Sequence, residues 1–168
     1  MGLAALLEER LAEEPFLEEL FKKALGVEDR AGILAAVEAD PARAADLLCE
    51  TAKEGYGRVS KRLERYETYR EVLILACVLL ALAAVVLILA QYLTYALASS
   101  AVNLISLAMT AVVEKGIRDL RPERDRYLAA MEKYCATRRA LRALEEAEGV
   151  RAMEEGRVRE LQVALLLA

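Results

Sequence analysis

Histidine is absent from this chain of 168 residues, and cysteine occurs only three times. Cys49, Cys77 and Cys135 lie far apart and form no CxxC pair, which argues against a zinc site and against Cys–His nucleophilic catalysis. Proline is rare, and runs of β-branched or aromatic residues are missing, so the chain reads as all-α. No basic segment followed by an apolar one opens the sequence, so no cleavable signal peptide is expected. No basic stripe with interleaved aromatics is present, so no nucleic-acid partner is expected. Glu54-Gly-Tyr-Gly57 lacks the Lys-Ser/Thr ending and the preceding strand of a phosphate loop. The paired carboxylates, such as Glu8/Glu9, Glu18/Glu19 and Glu145/Glu146, alternate with apolar positions as on a solvated helix face. No catalytic residue, cofactor site or metal site is expected, and the chain is read as non-enzymatic.

The most informative absence is of charge. Val72 to Val113 spans 42 residues without one Asp, Glu, Lys or Arg. A bilayer core about 30 Å thick takes roughly 20 helical residues to cross. The stretch is too long for one crossing and suits two. Spans near 72–90 and 96–113 are expected, with a turn somewhere in Gln91–Asn103, where neither Gly nor Pro marks its place. The competing reading is one long buried helix in a soluble assembly. Five basic residues precede the stretch (Arg58, Lys61, Arg62, Arg65, Arg70) and five follow it (Lys115, Arg118, Arg121, Arg124, Arg126). Such residues stay on the cytoplasmic side, so an even number of crossings and cytoplasmic N- and C-termini are expected. Residues 1–57 carry a net charge of −7, while 58–71 and 114–128 are slightly basic, beside the anionic lipid head groups.

Three parts follow in order. Residues 1–57 read as a mini-bundle of three or four short helices. Leu3, Leu6, Leu7 and Leu11 mark the first, and Pro15 to Leu25 the second, stopped by Gly26. Ile33, Leu34 and Val37 mark the third. Asp40-Pro41 opens a fourth that Gly55 and Gly57 end. So small a bundle needs a partner surface. It serves either as a folded cap or as a module receiving a cytosolic protein partner.

Residues 58–148 read as a two-span transmembrane hairpin extended by an antiparallel cytoplasmic stalk. Val59, Leu63, Tyr66, Arg70 and Leu73 keep a coiled-coil spacing, as do Tyr127, Met131, Tyr134, Arg138, Leu141 and Glu145 on a helix opened by Pro122. The stalk seam is expected to pair Val59, Leu63 and Tyr66 with Tyr127, Met131 and Tyr134. Residues 149–168 are expected to form a C-terminal cytoplasmic helix, whose apolar end, Val163 to Ala168, is far too short to span. Cys77 is expected against lipid or helix, and Cys49 and Cys135 as ordinary small apolar residues.

Two features lie within the apolar stretch. Ala76, Ala83 and Ala90 recur every seven residues and suit close helix packing. Ser99, Asn103, Ser106, Thr110 and Glu114 form one polar stripe. It either bonds helices together, with hydroxyls also bonded to their own backbone, or lines a polar path through an oligomer.

An arginine-rich helix (Arg58–Arg70), two close spans and a charged heptad helix follow directly on one another. Ile105–Glu148 adds Glu114-Lys115, Glu123-Arg-Asp-Arg-Tyr127 and the Leu141–Glu148 ending. This pattern, over roughly 58–148, resembles the two-transmembrane effector modules of bacterial conflict systems, namely the TRADD-N-associated membrane domain and the SLATT domain. The resemblance implies a homo-oligomeric membrane effector or pore former in a prokaryotic inner (plasma) membrane, with no catalytic residues. The alternatives are a structural anchor or scaffold for a cytosolic partner, and an accessory subunit of a larger membrane complex.

Overall fold

Side chains that recur every three or four residues build this chain, and in the computed structural model every regular element within the described residues, 9–148, is an α-helix. They are α1 (9–13), α2 (Pro15–Leu25), α3 (Arg30–Ala39), α4 (Pro41–Leu89) and α5 (Leu93–Glu148). The expectations for Leu3, Leu6 and Leu7 and for the helix 149–168 lie outside the described residues.

Local chemistry sets the short helices. Pro15 opens α2, and Gly26, in the left-handed region at φ 68°, closes it by donating its N–H to the Lys22 carbonyl. Asp29 caps α3, its carboxylate accepting from the Gly32 N–H at 3.0 Å. Asp40 does the same for α4, accepting from the Arg43 N–H at 2.9 Å, with Pro41 next. Arg30 at the start of α3 reaches back to Glu18 on α2 at 2.6 Å, and Lys22 reaches it at 2.8 Å. The Arg30 and Lys22 hydrogen bonds hold the Glu18 carboxyl down at about 2.

The long helices depart from the sequence expectation at two points. First, α4 does not end before Gly55 but runs through Gly55 and Gly57 to Leu89. A helical glycine costs about 1 kcal/mol relative to alanine. At Gly55 the missing side chain has a use, because a Cβ there would overlap the Tyr127 ring. Second, Pro122 does not open a helix. It lies inside α5, where the Arg118 carbonyl loses its partner. Helix persists on both sides because Ile117 is buried before the proline, and Ala130 and Tyr134 after it.

The turn falls within the expected range, at its first residue, and it is tight. The Tyr92 N–H bonds to the Leu87 carbonyl at 2.9 Å and the Gln91 N–H to the Ile88 carbonyl at 3.0 Å, the pattern of a Schellman stop. Gln91 takes the left-handed position that glycine usually fills, at φ 66°. A left-handed conformation costs a non-glycine residue roughly 1–2 kcal/mol. Gln91→Gly is therefore expected to stabilise this turn by about 1 kcal/mol. Slower amide hydrogen exchange across 87–92 would register the gain, and unchanged or faster exchange would show that the turn is set elsewhere.

The described residues divide into two units. One combines the chain up to Tyr56 with the chain from Arg126 onward; the other is Gly57–Asp125. The partner surface that the N-terminal mini-bundle needs is thus the second half of α5, which the sequence reading assigned to a stalk. Leu11, Leu20, Phe21, Ile33, Val37 and Leu48 share one buried cluster with Ala130, Tyr134 and Leu141.

Candidate functional site

In the unit Gly57–Asp125 the burial pattern traces one stripe along each long helix. On α4 it passes through Val59, Leu63, Leu73, Cys77, Leu80, Ala84 and Leu87. On α5 it passes through Ala96, Ser99, Asn103, Ser106, Thr110, Val113, Ile117 and Leu120. Both keep the alternating four-and-three spacing of a heptad seam, the α4 line crossing the exposed Tyr66 and then Arg70 between Leu63 and Leu73. The polar stripe is thus the half-buried packing face of α5, with one correction. Glu114 is exposed, and Val113 takes the next place, because a three-residue step follows Thr110.

The hydroxyls on this face are already engaged. Ser99 Oγ donates across to the Leu80 carbonyl at 3.0 Å. Ser106 Oγ donates to Val102 O at 3.1 Å and Thr110 Oγ1 to Ser106 O at 2.9 Å, both within α5. Serine and threonine satisfy themselves this way in apolar surroundings. Asn103 is different: its Oδ1 is buried and without a hydrogen-bond partner among the described residues.

Within this one chain the alanine repeat does not follow the buried line of α4. Ala76 is half-buried, but Ala83 and Ala90 are exposed, and Ala84 is the buried alanine within the apolar part of α4. Every seventh residue selects one line down a helix without telling which line faces the neighbour. The small residue that permits close approach on α5 is Gly116, where a Cβ would stand 2.9 Å from Cε1 of Tyr66. The sequence reading passed over it; Gly116 flanks the heptad line beside Ile117, and no spacing marks it.

The stalk seam also changes register. Tyr66 lies against Gly116, and Glu67 pairs with Arg121 at 3.7 Å. Val59 and Leu63 are buried within this same unit. Tyr127, Met131 and Tyr134 belong to the other unit and pack on the N-terminal cluster instead. There the Tyr127 ring sits on Gly55 and edge-to-face with Phe16 at 4.9 Å. Tyr134, 1% exposed, meets Phe21 edge-to-face at 5.8 Å. Asp46 on α4 pairs with Arg138 and, at 3.3 Å, with Arg142 on α5.

Cys49 and Cys135 are not independent apolar residues. Their Cα atoms are 5.0 Å apart, and the two sulfurs are bonded across a sequence separation of 86. Two lone cysteines at such spacing give no sequence signal.

Burial raises the Tyr134 phenol well above its usual pKa, and the nearby Glu14 carboxylate adds to this. The unfolded chain ionises a tyrosine near pH 10, and this folded site does not. Stability from Tyr134 is therefore fully present below pH 10 and falls as pH rises beyond it. Ultraviolet titration is expected to show that Tyr134 ionises only as the head unfolds. If every tyrosine titrates together near pH 10 in folded protein, the burial of Tyr134 is wrong.

A cavity of about 580 Å³ opens between Glu13, Glu14 and Phe16 on one side and Arg126, Ala129 and Lys133 on the other. It offers no nucleophile–base pair, and among the described residues no cluster of His, Cys, Asp or Glu is suited to a metal ion. Compared with known proteins, the chain matches no family model, no curated protein and no solved structure.

Proposed function

We propose that the protein is a non-enzymatic integral membrane module. Its apolar segments cross the bilayer as a helical hairpin, and its helical head is displayed on the cytoplasmic side as an anchor or scaffold for a partner. One observation carries this reading. In each long helix an 18-residue apolar window is only 6% buried. The core helix of a soluble protein hides such a surface, whereas a spanning helix leaves it to lipid. Large side chains such as Leu82, Leu104 and Val112 stand free around the band. Exposed tyrosines lie at both of its ends, Tyr69 at one and the edge-to-face pair Tyr92 and Tyr95 at the other, where aromatic rings favour the lipid interface. The basic flanks support cytoplasmic termini.

A second reading keeps the homo-oligomeric effector or pore former that the family resemblance implies. The unpartnered Asn103 oxygen favours it, since a polar group in lipid ordinarily finds a partner or a water-filled path. The engaged hydroxyls of Ser99, Ser106 and Thr110 favour the anchor.

Single reporter cysteines at Gln91 and Glu19, in a chain whose own cysteines are replaced by serine, test the arrangement. An impermeant maleimide is expected to label Gln91→Cys in intact cells and to reach Glu19→Cys only after permeabilisation. Labelling of Glu19→Cys in intact cells would invert the topology. Release of the chain from membranes by alkaline carbonate would end the membrane reading. Ion leakage from liposomes holding the purified chain would favour the pore over the anchor.

A further inference from the structure

We propose that Cys49 and Cys135 form a reversible thiol–disulfide latch that closes the helical head. The two residues lie on α4 and α5 within one unit, and their Cα separation of 5.0 Å falls in the range a disulfide needs. The latch sits where the head is already held by other means. Asp46 and Arg138, one turn from each cysteine, are ion-paired, and Tyr134, beside Cys135, is buried against Phe21. The head therefore has a core and an ion pair that do not depend on the bond, so the bond can open without dismantling it.

Access is unequal. Cys49 is 1% exposed, whereas Cys135 is half-buried. A small disulfide such as glutathione disulfide thus meets Cys135 first. The Cys135 thiolate attacks one sulfur of that molecule, forms a mixed disulfide and releases one glutathione thiolate. The Cys49 thiolate then attacks Sγ of Cys135 and displaces the second glutathione. The two protein thiols lose two electrons and two protons, and glutathione disulfide gains them. Reduction runs the same steps backward, again beginning at the more open sulfur. A head in the cytoplasm, as proposed above, would rest as the dithiol and close on oxidation. The chemistry itself is a property of the head and does not require the membrane reading.

Cys77 lies in the other unit and serves as an internal control. The full chain, purified in mild detergent with dithiothreitol, would be equilibrated with glutathione buffers of rising oxidised fraction, quenched in acid, denatured and tagged with a heavy maleimide. The reduced chain is expected to take three tags, for its three cysteines. The oxidised chain is expected to lose the tags at Cys49 and Cys135 together, with a peptide joining the two in the mass spectrum. Cys77→Ser is expected to leave that transition unchanged, and Cys49→Ser to abolish the joined peptide. Dithiothreitol added to the folded, oxidised protein is expected to restore the tags. Three outcomes would overturn the proposal: retention of all three tags throughout, separate glutathione adducts with no joined peptide, or a bond that dithiothreitol breaks only after denaturation.

Discussion

Replacing Leu79 and Leu82 together by arginine is expected to stop α4 from entering the membrane. Both side chains are well over half exposed, and both lie near the middle of the apolar segment. An arginine at the centre of a spanning helix costs about 2.5–3.5 kcal/mol, so the pair costs about 5–7 kcal/mol. That is enough to offset the insertion energy contributed by the surrounding leucines and valines. The same double change has the opposite meaning in a soluble protein. There an exposed Leu→Arg substitution shifts stability by no more than about 0.5 kcal/mol and improves solubility. Membrane fractionation after alkaline carbonate separates the cases. A double variant that stays in the membrane as firmly as the parent would show that this face of α4 does not meet lipid.

A second large effect is expected in the head. Truncating a buried aromatic residue to alanine costs about 3–5 kcal/mol, from lost burial and the cavity left behind. Tyr134→Ala removes the ring that meets Phe21 and shares the cluster with Leu48 and Leu141. The denaturant midpoint of the far-ultraviolet circular dichroism, measured in mild detergent, is expected to fall accordingly. Tyr66→Ala is the contrast. This tyrosine holds an equivalent place in the sequence reading of the seam, yet it is 37% exposed. Its loss is expected to cost well under half as much. Equal losses for the two variants would contradict the assignment of Tyr134 to the core of the head.

The contrast between these tyrosines also shows where sequence reasoning held and where it failed. Helix, caps and apolar band were legible because each is a local property. Asp40-Pro41 sets the start of α4 with two adjacent residues, and 42 residues without charge need no partner to be noticed. The register between the long helices was not legible. It depends on where the turn falls, and moving a turn by one residue moves each facing pair by two. With no glycine or proline to mark it, the sequence allows the turn anywhere from Gln91 to Asn103. It falls at Gln91, the first of these positions. That displacement is why Tyr66 meets Gly116 and not Tyr127, and why Gly55, read as a helix end, serves as the seat of Tyr127.

In the sequence the polar stripe and the α5 half of the stalk seam stand as two features. Their spacing is in phase, from Ser99 through Thr110, Ile117 and Arg124 to Tyr127, Tyr134 and Leu141. A proline and a run of charges between them concealed the continuity. The Cys49–Cys135 pair was invisible for a different reason. Nothing in a one-dimensional spacing of 86 residues reports that two side chains meet, and only the shared core of α4 and α5 brings them together.

When that sulfur bridge is closed, the backbone between Cys49 and Cys135 becomes a covalent ring. The ring contains the entire charge-free stretch and the Gln91 turn. A protease that cuts once inside the ring, at the turn for example, opens a circle without releasing a piece. The two ends remain one molecule, each retaining its own apolar helix, until a reductant separates them.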